Sequence, residues 1–129
     1  VSPWKVSPED RPKWLGFFAT LRNVGHRQGA APQGTVDAIV VASHLIQSLQ
    51  TIVIRNTNPL GNTVVTIGKI NGGNNFNIIA DNIILKGTAR AYTNRNKQLI
   101  ENRMHTICEG VAKTYGAQIK LQRWLSSSN

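Results

Sequence analysis

From Thr51 to Tyr92 the chain passes through a helix end, a loop, a strand, a Gly/Asn-rich turn and a second strand. Thr63 to Ile70 is rich in β-branched residues and reads as a strand. Asn71-Gly72-Gly73 is a turn signal. Beyond it, Ile83, Leu85, Gly87, Ala89 and Ala91 alternate with Ile84, Lys86, Thr88, Arg90 and Tyr92. That alternation predicts a strand with one apolar face.

The flanking segments extend the pattern. Phe17, Ala19 and Leu21 alternate with Phe18, Thr20 and Arg22, which predicts a first strand. Gly25 to Gly34 is a Gly/Pro loop. Thr35 is the expected helix cap, with Asp37 in the first turn where the helix dipole favours an acid. Ile39, Ala42, Leu45, Ile46, Leu49, Ile52 and Val53 then follow helical spacing, and the helix ends before Asn58-Pro59. Leu99, Ile100, Met104, Ile107, Cys108, Val111 and Tyr115 predict a second helix, stopped by Gly116. Ala117, Ile119 and Leu121 alternate with Gln118, Lys120 and Gln122 in a last strand. The order β-α-β-β-α-β predicts an α+β, ferredoxin-like sandwich: a four-stranded antiparallel sheet with both helices on one face.

At 129 residues the chain is one domain by size. Its expected organisation is a Pro-rich segment over 1–14, the ferredoxin-like domain over 15–125 and a polar tail over 126–129. Pro3, Pro8 and Pro12 argue against regular structure in the first segment, although Trp4 and Trp14 suggest that part of it packs on the body. The single cysteine, Cys108, excludes an intrachain disulfide and points to a reducing, cytoplasmic compartment. No apolar run approaches the roughly 20 residues of a membrane span. The net charge is +9, from 15 Lys and Arg against 6 Asp and Glu, spread along the chain with no tight basic run. Such a surplus predicts attraction to polyanions and says nothing of fold.

Several segments, in order and spacing, resemble one family. They are Gly29-Ala30-Ala31-Pro32-Gln33 before Thr35-Val36-Asp37, and Leu49-Gln50-Thr51-Ile52-Val53 with Arg55-Asn56. Val65-Thr66-Ile67-Gly68 with Gly72-Gly73, Asn77-Ile78-Ile79-Ala80-Asp81 and Gly87-Thr88-Ala89-Arg90 complete the set. Together, over about residues 17 to 122, they resemble the lid or dimerisation domain of the zinc-dependent amidohydrolase and exopeptidase superfamily. Aminoacylase, carboxypeptidase G and hippurate hydrolase belong to that superfamily. The resemblance implies a lid that pairs with its copy in a homodimer, beside a separate catalytic domain holding two zinc ions. It also implies that a lid histidine reaches the partner's active site to stabilise an oxyanion. The motif Asn and Arg, here Asn77 and Arg90, are implied to contact substrate polar or carboxylate groups.

Three departures qualify this. The histidine position, counted back from Gly29, holds Gln28, and His26 lies two residues earlier, about 7 Å away on an extended segment. The motif proline is Ala80. Residues 1–16 do not resemble the family. The substrate-facing set implied by resemblance is therefore Gln28, His26, Asn77 and Arg90, with no catalytic residue.

The residues for zinc hydrolysis are not in the sequence. That chemistry needs several His and carboxylate ligands and a Glu base. The chain has His26, His44 and His105, no His-x-Asp and no Glu-Glu pair. No metal site is expected, and the chain alone is expected to be inactive. Cys108 sits on the apolar stripe of the second helix and reads as a core thiol rather than a nucleophile. Arg90 reads equally as a solvated sheet residue or a carboxylate contact.

Two other readings stand beside the lid. A basic ferredoxin-like domain could bind RNA by stacking bases on its central strands, but Thr88 and Arg90 occupy positions that should stack. Nucleic acid is therefore disfavoured. The chain could also be a recombined or truncated segment with no role beyond folding. On the leading reading the homodimer forms through the unpaired edge strand Thr63–Ile70, with Thr63, Val65, Ile67 and Lys69 along it and Lys69 its only charged guard. A catalytic domain, separate or missing from this chain, is the other expected partner, with no membrane involved.

Overall fold

The computed structural model describes residues 11–23, 36–55 and 63–126. The chain runs β1 (Lys13–Asn23), α1 (Ala38–Arg55), β2 (Val64–Gly72), β3 (Asn82–Ala91), α2 (Asn94–Tyr115) and β4 (Ala117–Ser126). The strands form one four-stranded sheet in the order β2-β3-β1-β4. Every pairing is antiparallel. This is the ferredoxin-like arrangement that the order of elements predicts, with β2 and β4 at the edges.

Register fixes which side chains share a face. Leu15, Phe17, Ala19 and Leu21 of β1 stand opposite Ala89, Gly87, Leu85 and Ile83 of β3. These apolar positions are buried together with Val41, Leu45, Leu49 and Ile52 of α1 and Ile100, Met104 and Cys108 of α2. The core therefore lies between the sheet and both helices. Each fully buried Leu, Ile or Phe contributes about 2 kcal/mol relative to exposure. The even-numbered residues of β1 and β3 form the other, open face.

Local chemistry sets the element ends. Asp37 caps α1: its Oδ1 accepts from the Ile39 N–H at 2.9 Å, and its carbonyl accepts from the Val41 N–H at 3.0 Å. Asp37 is thus the cap itself and not a first-turn acid; Thr35 lies outside the described residues. Thr93 caps α2, its hydroxyl accepting from the Asn96 N–H at 3.0 Å. Gly116 closes α2 in the left-handed region, at φ 65°. Arg123 of β4 then donates two hydrogen bonds to Glu101 of α2, at 2.7 and 3.1 Å, tying the edge strand to the helix.

Several sequence expectations are corrected. β1 begins at Lys13, so Lys13 and Trp14 are strand residues rather than part of an irregular Pro-rich segment. Pro12 sits just ahead of the strand, where its missing N–H interrupts no ladder bond. Asn71 and Gly72 belong to β2 and pair with Ile84 and Ile83, so the turn starts at Gly73, at φ 87°. Ile39 faces solvent at 49% exposure, and Val41 takes its place in the core. Leu99 is also exposed.

Candidate functional site on the open sheet face and the free edge

The two ends of the sheet carry different residues. β1 begins and β4 ends at the same end, where Leu15 pairs with Ser126. Arg90 is at that end, opposite Trp14 on β1 and Val64 on β2. The loop between β2 and β3 is at the other end. There the Ala38 N–H donates to the Ala80 carbonyl, and Asn23 donates from Nδ2 to the same carbonyl at 3.2 Å. Asn77 lies in this loop.

Arg90 projects from the open face. Its guanidinium carbon sits 5.5 Å from the centroid of the Trp14 ring. Its Nε is buried and has no hydrogen-bond acceptor. Around it the open face is basic: by register it also carries Arg22, Lys69, Lys86 and Lys120. The carboxylates of the described residues lie elsewhere: Asp37 at the start of α1, Asp81 ahead of β3, and Glu101 and Glu109 on α2.

Asn77 is exposed beside an apolar cluster. Phe76 is 99% exposed, and Ile39, Val40, Ile78 and Ile79 are each more than 40% exposed. Ile39, Phe76, Ile78 and Ile79 line a shallow pocket of about 400 Å³ with Asn77 and Asp37. Asn82 and Arg90 are eight residues apart on β3, about 26 Å of extended chain. Within one subunit, then, Asn77 and Arg90 do not meet. Gln28 and His26 lie outside the described residues.

The β2 edge differs in detail from its sequence reading. Val65 is buried against the core and Ile67 packs on it. Thr63 is buried just ahead of the strand, its Oγ1 without a hydrogen-bond partner. Only Lys69 of the four named edge residues is exposed. Exposed side chains along the edge are instead Val64, Thr66 and Ile70. The pairing slips between Ile67 and Lys69, a bulge at Gly68, where an added Cβ would meet nothing. α1 lies alongside, with Gln50 donating to the Val65 carbonyl at 3.5 Å.

Other reactive groups are structural. Burial pushes the Cys108 thiol up to about 12, so it is protonated and a poor nucleophile at neutral pH. His44 stacks on Tyr115, ring centroids 4.6 Å apart, bridging α1 and α2. Among the described residues no three His, Cys, Asp or Glu side chains cluster to hold a metal ion. No described helix is long and apolar enough to cross a membrane. The sequence reading had Trp14 packing on the body but missed its strand position opposite Arg90; its even parity with Phe18 was the available signal.

The described residues form an α+β sandwich with free sheet edges at β2 and β4 and a basic open face. Residues 15–116 match the peptidase dimerisation domain family, and the chain belongs to it. It is 42% identical over 98 residues to an N-acetyldiaminopimelate deacetylase of Pediococcus pentosaceus, covering 76% of this chain and 25% of that protein. It is 41% identical over 99 residues to the hippurate hydrolase of Campylobacter jejuni, covering 77% of this chain and 25% of the relative. The chain thus spans about a quarter of the length of these relatives. The fold is shared with a dinuclear metal binding peptidase of the M20 family from Bacillus subtilis, at TM-score 0.65 and 23% identity over 92% of this chain and 28% of that one.

Proposed function

We propose that this chain is the lid and pairing domain of a metal-dependent amidohydrolase, that it forms a homodimer through β2, and that each dimer builds two composite substrate sites. The observation that carries this is the opposite placement of Arg90 and Asn77 beside one free edge. Two copies of an edge strand related by a two-fold axis normal to the sheet pair antiparallel. The Val64 end of one β2 then lies beside the Gly72 end of the other. Arg90 is one strand in from Val64. Two strand spacings, about 10 Å, separate it from the end of the partner's β2, where the loop carrying Asn77 of the partner subunit begins. Pairing thus brings together two residues that a single subunit holds apart.

In this reading Arg90 serves the catalytic domain joined to its own lid, at the end where β1 begins and β4 ends. Asn77 serves the partner's. Gln28 and His26, which the resemblance implies face substrate, lie outside the described residues. The substrate is an acylated amino acid with a free carboxylate, the class named by the hippurate hydrolase and the N-acetyldiaminopimelate deacetylase. The metal, zinc on this reading, belongs to the catalytic domain. The described residues here do not fit a metal centre, so no hydrolytic step runs through them. Nothing in the comparisons favours the RNA-binding alternative.

Sedimentation equilibrium over a range of concentrations tests the reading. A dimer mass insensitive to a short RNA is expected. A monomer at every concentration overturns the pairing role.

A further inference from the structure

Arg90 is held in an unusual way for a residue on a sheet surface. The Trp14 ring lies under its guanidinium, 5.5 Å from centroid to carbon, within cation–π range. Its Nε is buried without an acceptor, whereas the terminal nitrogens are not among the buried, unpaired atoms. A buried donor left unpaired costs free energy, so something must hold the side chain there. The Trp14 ring, standing within cation–π range of the guanidinium, limits the rotamers open to it. The two terminal nitrogens, which are not among the buried unpaired atoms, form the fork that can grip a carboxylate with two parallel hydrogen bonds.

The surroundings select the same ligand. Arg22, Lys69, Lys86 and Lys120 stand on the open face, and Asp81 borders it only at the end away from Arg90, in a cavity with Thr20, Arg22 and Asn82. A predominantly basic surface raises the local concentration of anions. Burial of Nε and the ring on one side remove water from the guanidinium, so an ion pair formed there is screened less than one in open solvent.

We propose that Trp14 is a positioning residue, which holds the Arg90 fork for the carboxylate of the acylated amino acid. This rests on the reading of Arg90 as a substrate contact. Trp14 lies one residue ahead of the matched span of residues 15–116.

The test is NMR of the full chain, following the Arg90 Nε–H resonance, which burial protects from exchange. The probe is N-acetylglycine, and its methyl ester is the control. The wild-type resonance is expected to move with the acid and not with the ester. Trp14→Ala is expected to weaken binding about fivefold and to remove the ring-current shift of Arg90, and Trp14→Phe to restore most of both. Trp14→Leu, which keeps apolar bulk without a π face, should behave as Trp14→Ala, and backbone amide spectra of each variant confirm the fold. If Trp14→Ala binds the acid as tightly as the wild type, the positioning role of Trp14 is overturned while the Arg90 contact stands. If the wild type shows the ring-current shift but ignores the acid, the carboxylate reading of Arg90 fails, and the proposal with it.

Discussion

Gly87 shows how a motif residue can be fixed by packing rather than chemistry. It opens the Gly-Thr-x-Arg segment, and a Cβ added there would run into the Thr66 carbonyl oxygen and crowd the Phe17 ring. The glycine lets the Phe17 ring of β1 and the backbone of β2 close over β3. Gly87→Ala is expected to destabilise the chain by about 3 kcal/mol, because the obstacle is backbone that cannot rotate away. A urea melt checks this; a midpoint within error of the wild type sinks the packing argument. Cys108 gives a second prediction at this scale. Its thiol is raised from 9.0 to about 12 by burial. The unfolded thiol therefore ionises first, and stability is fully present below pH 9 and declines from pH 9 towards 12, by at most about 1.4 kcal/mol per unit. Cys108→Ala should flatten that decline in chemical melts at pH 8 to 10.5. Its burial was legible from helical spacing alone. The role of Trp14 was not, because a cross-strand neighbour 76 positions away leaves no local trace.

The elements were largely legible, since period-2 and period-3.6 patterns report which face is buried. Boundaries were harder. Ile39 fits the helical stripe of α1, yet the helix starts at Ala38, and the loop at Ala80 closes over Ala38 instead. The β2 edge shows the same limit. Alternation marked Val65 and Ile67 as a pair, but they point to the core, and what a partner strand would meet is backbone plus Val64, Thr66 and Ile70. Charges at Val65 or Ile67 would unfold the sheet rather than test the edge. Thr66→Glu with Ile70→Glu places like charges across a two-fold strand pair at exposed positions. The expected result is a monomer by sedimentation, with circular dichroism and melting midpoint close to wild type. A folded double variant that still sediments as a dimer would move the interface off β2, to β4 or the helices.

At the scale of the whole molecule the sheet works as a ruler. It keeps Arg90 about 26 Å from Asn82, where the loop carrying Asn77 joins β3, too far for one small substrate to touch both ends. On the proposed pairing through β2, the second ruler runs in the reverse direction, so that the far end of each lid would meet the near end of the other. This juxtaposition depends on the sense of pairing, and the sequence does not encode it in any single segment. It also makes a specific prediction for cross-linking. In an antiparallel dimer the two Val64 residues stand at opposite ends of the paired strands, and so do the two Asn77 loops. Val64 of one subunit and Asn77 of the partner subunit are neighbours. A bismaleimide of about 10 Å, two strand spacings, should therefore give no covalent dimer with Val64→Cys alone or with Asn77→Cys alone. It should give one when the two variants are mixed and allowed to exchange subunits. Cys108, buried and protonated at neutral pH, does not compete for the reagent. Covalent dimers from Val64→Cys alone would instead mean that the strands meet in parallel. In that dimer Arg90 and the partner's Asn77 stay apart, and the composite site is lost.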